Sequence, residues 1–142
     1  MKDLVYDVPA GTLIASGKIS GVPFWIINCY SHPCSYIDVS VLKDYTFIRS
    51  DNLDSYYSDN DVNCHGGCTF AEHRKTFLDP DNPGQTKTVE GDILGWDYAH
   101  TGDYCKFEQD LFLSGHKYTL QELCFEVAEV IVDLRERYEV RV

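Results

Sequence analysis

The pattern of apolar and polar positions changes period several times along the chain, and each change marks an element. Residues 12–20 and 22–30 read as two strands. Thr12, Leu13, Ile14 and Ala15, then Phe24, Trp25, Ile26 and Ile27, are strand formers, and Gly17, Gly21 and Pro23 punctuate them. A β-hairpin is the expected arrangement. The second run is apolar without alternation, which suits a central strand buried on both faces. Residues 36–42 alternate, and 45–49 read as a further short strand. Residues 50–61 are mostly Asp, Asn, Ser and Tyr, a solvated loop. Strand character resumes over 62–70, around the break at Gly66 and Gly67. Residues 72–85 are polar, with an exposed turn at 79–84. A long strand is expected at 86–98, interrupted by Gly91 and Gly95. Phe107, Leu111, Phe112 and Leu113 suggest one helical turn within 104–118, ahead of a loop at Ser114, Gly115 and His116.

Only the last segment carries a clear helical period. Leu120, Leu123, Cys124, Val127, Ile131, Leu134 and Tyr138 recur at helical spacing, against Glu122, Glu126, Glu129, Asp133 and Glu136. Thr119 is a natural N-cap, and Glu122 three residues on completes a capping box. Arg135 and Arg137 suit the negative end of the helix dipole. Phe125, Ala128 and Val132 widen the apolar face, so the helix over 119–137 is expected to lie flat on the sheet. The pattern predicts a single α+β domain, a mostly antiparallel twisted sheet with one long C-terminal helix packed on one face. At 142 residues, 44% of them hydrophobic, the chain can close a core and is not a disordered sequence.

Charge narrows the partners. The formal net charge of −11 repels nucleic acid, whose affinity for proteins rests on Lys and Arg, and repels anionic membranes for the same reason. Neither is expected as a direct partner. The acid serves either as a solvated surface or as a face that docks on a basic partner. The stretch from Met1 to Asp7 is too polar for a signal peptide, and no apolar run approaches membrane-spanning length. The six cysteines, Cys29, Cys34, Cys64, Cys68, Cys105 and Cys124, are then expected as reduced thiols.

Two polar stretches stand out as candidate chemistry. Gly95-Trp96-Asp97-Tyr98-Ala99-His100-Thr101-Gly102-Asp103 puts two carboxylates and an imidazole within seven residues. Cys64-His65-Gly66-Gly67-Cys68 lies about thirty residues earlier. These stretches are expected to meet in space. Asp97 and Asp103 either flank His100 for acid–base work or cap turns through backbone N–H groups. His65 beside two glycines marks either a close approach or a bend between strands. No cofactor is assigned, although Asp97, His100 and Asp103 would suit a divalent metal. Cys29, Cys34, Cys64 and Cys68 with His32 and His65 form a looser zinc alternative. Cys64 or Cys105 is conceivable as a thiolate nucleophile. In the acidic loop, Asp51, Asp54, Tyr56, Tyr57, Asp59 and Asp61 are candidate binding residues, against the plainer reading of a solvated loop.

The residues from Val62 to Phe70, then from Gly95 to Asp103, resemble a family of small uncharacterised bacteriophage and prophage proteins. Its members carry a V-H-G-G-L-T-Y/F stretch, then G-F-D-C-A-H-x-G-D, then a capped C-terminal helix beginning T-L-x-x-V. Ser31-His32-Pro33 resembles an earlier G-H-P segment of that family, with serine for glycine. Cys68 and Tyr98 depart from its pattern, and the loop at 50–61 is longer and more acidic. The resemblance implies a phage-encoded protein acting in the bacterial cytoplasm. It carries His65, Asp97, His100 and Asp103 over as candidates, and His32 less directly.

Two functions from different classes follow as expectations. The leading one is an acidic interaction protein that binds and inhibits a host or defence component with a basic surface, in the manner of an anti-CRISPR inhibitor. Its rival is a small hydrolase or nucleotide-processing enzyme, metal-assisted or not, using His65, Asp97, His100 and Asp103. A sponge for a small signalling molecule is a third reading. The scarcity of Lys and Arg argues against an anionic nucleotide as its ligand.

Overall fold

Alternation along the strands divides their side chains between two cores, one under the helix and one on the opposite face of the sheet. The structure, a computed structural model, describes residues 3, 5–29, 32–49, 60, 62–100, 103–105 and 115–141. Five strands, β1 (Leu13–Ile19), β2 (Val22–Asn28), β3 (Pro33–Asp38), β4 (Phe70–Leu78) and β5 (Thr86–Asp97), form one antiparallel sheet in the order β1-β2-β3-β5-β4. Among the described residues one α-helix, α1 (Leu120–Arg135), follows the strands. The α+β fold expected from the sequence is present. Among the described residues no helix is long and apolar enough to cross a membrane.

The first hairpin forms as expected, and β2 is central. Phe24 and Ile26 point to the helix side, while Trp25 and Ile27 point away. On β5, Leu94, Trp96 and Tyr98 face the helix side and Ile93 the other. The second core needs a cover, and the sheet supplies it by curling. Edge strands β1 and β4 converge at one end, where Thr12 bridges Leu78 and the Leu78 N–H donates to Gly11 O at 2.8 Å. The far face thus becomes the interior of a partly closed barrel holding Ile27, Cys34, Tyr36, Phe77 and Ile93.

Helix α1 lies over β2 and β3 on the other side. Its Thr119 and Glu122 form the reciprocal capping box, at 3.1 and 3.0 Å. Leu123, Val127, Val130, Ile131 and Leu134 are buried, each contributing about 2 kcal/mol relative to exposure. The helix does not lie as expected in one respect. Phe125 is 65% exposed and Val132 49%, so they form a second, outward stripe rather than widening the buried face. The sheet beneath is wide enough to cover only one arc of the helix.

Three strand assignments shift. The third strand runs Pro33–Asp38, not 36–42, because Asp38 turns the chain. Its Oδ1 accepts from the Ser40 N–H and the Asp92 N–H, and residues 39–41 form a 3-10 turn. Residues 45–49 are not a strand. The fourth strand occupies Phe70–Leu78, largely where a polar loop was expected, and 62–69 is irregular. As an edge strand, β4 exposes His73, Arg74 and Thr76, and a register shift between Glu72 and Arg74 breaks its alternation. Those two features hide the strand from a periodicity search. Residues 106–114, where a helical turn was expected, lie outside the described residues, as do 50–59 and 61.

Candidate functional site

The Gly66–Gly67 turn and the segment after β5 meet at one end of the sheet, beside the N-terminus of α1. Strand β5 delivers Tyr98 into the helix-side core, where it is fully buried. The Trp96 indole N–H donates to its hydroxyl at 3.1 Å. Burial, then the nearby Glu126 carboxylate, push the Tyr98 phenol up. The His65 ring stacks on Tyr98, with centroids 4.6 Å apart and planes 17° from parallel. Stacking on a locked phenol fixes the plane in which His65 presents its nitrogens.

Asp103 is the hub of the site. Its side chain is only 5% exposed, and it takes part in three hydrogen bonds with a fourth nitrogen close by. His65 Nε2 lies 2.8 Å from Oδ2, the His100 backbone N–H donates to Oδ2 at 3.0 Å, and Tyr118 O–H donates to Oδ1 at 3.0 Å. His100 Nδ1 lies 3.4 Å from the same Oδ2. Burial alone would raise this carboxyl. The His65 bond, then the His100 N–H and Tyr118, outweigh it and hold Asp103 below the ordinary carboxylate range. Tyr118 is itself fixed by its N–H, which donates to the buried Tyr6 hydroxyl at 3.0 Å.

Gly66 explains why these turns can approach. It has φ +69°, and a Cβ there would overlap the His100 imidazole. Only glycine meets both demands. His65, His100 and Asp103 consequently offer three ligand atoms within 4.8 Å of one another, two imidazole nitrogens and a carboxylate oxygen. His100 Nδ1 is buried yet makes no hydrogen bond, an orphan that a cation would satisfy. This donor set would fit a borderline divalent metal such as zinc through its two imidazoles, and its carboxylate would also suit manganese.

Asp97 lies at the margin. Its Oδ1 is 3.5 Å from His100 Nε2 and accepts from the Ala99 N–H at 3.2 Å, while Oδ2 accepts from Thr69 at 3.3 Å. It is outside the three-residue metal grouping, in which His65 takes the place the sequence suggested for Asp97. Turn capping and site building are not alternatives here, since Asp97 and Asp103 both cap backbone N–H groups and both approach His100.

His65 opens onto a cleft of about 450 Å³ lined by Asn63, Cys64, Glu126, Glu129, Val130 and Asp133. With Nε2 engaged by Asp103, His65 Nδ1 makes no hydrogen bond to any described residue. The side chain is 25% exposed. Glu126 on α1, Tyr98 and Tyr118 are the functional neighbours that sequence reasoning missed. The position of Tyr118 directly before the N-cap was the available signal, because a secure helix start fixes the residue that precedes it.

Other sequence candidates fall elsewhere. His32 sits in the β2–β3 turn, its carbonyl accepting from Cys29 N–H at 2.8 Å, and takes no part in the His65 grouping. A zinc site joining the four cysteines is overturned, because Cys64 and Cys68 pack on the helix-side core and Cys29 and Cys34 on the opposite one. Cys64 and Cys105 also fail as nucleophiles. Burial pushes the Cys64 thiol up to about 12, and Cys105 is buried and donates to Tyr98 O at 3.8 Å. Asp51, Asp54, Tyr56, Tyr57, Asp59 and Asp61 lie outside the described residues. Comparison with known protein families, with curated proteins and with solved structures returns no match.

Proposed function

We propose that this protein is a small His/Asp-dependent hydrolase whose general base is His65. One observation carries the reading: an imidazole held through Nε2 by a buried carboxylate, with no partner for Nδ1 among the described residues and the residue lining an open cleft. In this arrangement Nδ1 takes a proton from water as the oxygen attacks an electrophilic centre in the cleft. Asp103 holds the tautomer and stabilises the imidazolium that forms. Water is the nucleophile because neither neighbouring thiol is poised as a thiolate. Glu126, Glu129 and Asp133 give the cleft negative charge, which disfavours a bare anionic substrate. A neutral or cationic substrate suits it directly. A phosphate ester or nucleotide suits it only with a divalent cation, which His65, His100 and Asp103 would hold; His65 would then be a ligand rather than the base, and the cation would supply Lewis acidity.

The test is a panel of chromogenic carboxylic and phosphoric esters, assayed with and without Zn²⁺ and Mn²⁺. Wild type hydrolyses at least one, and His65→Ala lowers the rate about 100-fold or more while the circular dichroism spectrum is kept. Absence of turnover across the panel, together with no metal uptake by elemental analysis, removes the reading.

The interaction reading has separate support in the outward stripe of α1. Phe125, Ala128 and Val132 line a shallow groove edged by Glu129, Asp133 and Glu136. An apolar stripe edged with acid, on a chain of net charge −11, fits a basic amphipathic helix of a host or defence protein. A second copy of this chain fits poorly, because it would bring like charges together. A Lys/Leu amphipathic peptide followed by fluorescence anisotropy should bind, more weakly as salt rises, and Phe125→Asp should abolish binding without lowering stability. Undiminished binding to Phe125→Asp discards this surface. Charge reversal at Asp51, Asp54, Asp59 and Asp61 tests the acidic loop in the same assay.

A further inference from the structure

Two cysteines occupy the inner face of the curled sheet, away from the His65 centre. Cys34 on β3 lies directly opposite Ile27 on β2, and Cys29 follows two residues after Ile27 on the same face. The Cys29 N–H donates to His32 O at 2.8 Å, closing the β2–β3 turn that holds the two thiols together. The register sets the two side chains on one face, diagonal to each other across the β2–β3 pair. Cys29 Sγ is 3.5 Å from the Tyr36 hydroxyl. Lys75 on β4 reaches the same place, its Nζ 5.0 Å from the Tyr36 ring centre and 5.3 Å from that of Phe70. Gly95 lets Tyr36 lie flat there, since a Cβ at Gly95 would meet the ring at 2.5 Å.

The two thiols are not equivalent. Cys34 is buried, whereas Cys29 is half-buried at the open side. The hydrogen bond from Cys34 pulls the Cys29 thiol down, against burial, with the Tyr36 hydroxyl and the Lys75 charge adding to the effect. The same contact, reinforced by burial, pushes Cys34 up. One sulfur is thus favoured as thiolate and the other as a retained thiol, the division of labour a two-cysteine redox centre needs.

We propose that Cys29 and Cys34 form a peroxide-reactive dithiol, with Cys29 as the attacking sulfur and Cys34 as the resolving one. The oxidant is a hydroperoxide. Cys29 thiolate attacks the terminal oxygen, the O–O bond breaks, and the departing alkoxide takes a proton to leave as alcohol or, from hydrogen peroxide, as water. Cys29 is now a sulfenic acid. Cys34 sulfur attacks it, the S–O bond breaks, and hydroxide leaves with the Cys34 proton as water. The product is the Cys29–Cys34 disulfide, two electrons having passed from the dithiol to the peroxide. A small dithiol reductant returns the disulfide to two thiols by thiol–disulfide exchange and is itself oxidised to a disulfide.

Both cysteines fall in one tryptic peptide, residues 19–43, so mass spectrometry reads the reaction directly. After treatment of the full chain with hydrogen peroxide, that peptide should lose two hydrogens in mass and regain them with dithiothreitol. Cys34→Ser should halt at the Cys29 sulfenic acid, trapped by dimedone, and Cys29→Ser should prevent both products. Cys29 should also be alkylated by iodoacetamide at pH 7 about tenfold faster than Cys64. Tyr36→Phe should narrow that difference. The proposal is overturned if wild-type peptide 19–43 keeps its reduced mass under peroxide that oxidises Cys124, or if dimedone labels Cys34 instead of Cys29. The wild-type measurement decides the matter even if a variant fails to fold.

Discussion

The His65–Asp103 centre and the Cys29–Cys34 centre sit on opposite faces of the same sheet, and they are built on different physics. Asp97 shows how close they are: its backbone pairs with Cys34 while its carboxylate approaches His100. On the helix side a buried charge is stabilised by donors from three segments, His65, the His100 backbone and Tyr118. On the barrel side, among the described residues, the centre holds two thiols, a phenol and a lysine over aromatic rings, with no buried ion pair. A buried carboxylate is costly unless all its partners are present, so the first centre is rigid and intolerant of change. Thiols desolvate cheaply, so the second centre can tolerate exchange of its chemistry at little structural cost.

The largest expected effect separates the two directly. Asp103→Ala strands the His65 nitrogen, the Tyr118 hydroxyl and the His100 N–H, and should cost about 3 kcal/mol in urea unfolding. Cys34→Ser should cost about 1 kcal/mol by the same measurement. Equal losses would erase the contrast. Next, Gly66→Ala combines an unfavourable backbone angle with overlap on His100. It should cost about 2 kcal/mol and should abolish hydrolysis, leaving peroxide oxidation of Cys29 untouched. If both activities fall together, the centres are not independent.

The smallest effect is a pH dependence. Asp103 titrates below its ordinary value of 3.8 in the folded chain, so the unfolded chain binds its proton first as pH falls. Its contribution to stability is complete above that ordinary value and is lost as pH drops through the folded pKa. Thermal midpoints should therefore fall as pH drops below about 4 in wild type, and less steeply in Asp103→Asn. Cys29→Ser should follow wild type throughout that window.

Local signals were legible where a single segment contained its own evidence. The capping box at Thr119 and Glu122 located the start of α1 unaided, because both partners lie within one turn. The β1–β2 hairpin was equally readable from its strand formers and the turn at Gly21. Residues His65, Asp97, His100 and Asp103 were visible as unusual, since ionisable side chains next to glycines have few structural excuses. Strand β4 was not legible. Its outward face is solvent, its register slips near His73, and only pairing with β5 makes it a strand.

Sequence alone determined the α+β composition, the C-terminal helix, the acidity and the short roll of side chains able to do chemistry, because these depend on composition and near-neighbour spacing. Tertiary structure decided which of those side chains share a site. Asp103 meets His65 across 38 residues, and Tyr118 joins them from the helix entry. The four cysteines at 29, 34, 64 and 68 were divided by tertiary packing: Cys29 and Cys34 flank the β2–β3 turn on the enclosed face, whereas Cys64 and Cys68, in the irregular stretch before β4, pack on the helix side. No spacing along the chain encodes that division. It arises when strands distant in sequence pair, twist and bury what each happens to carry.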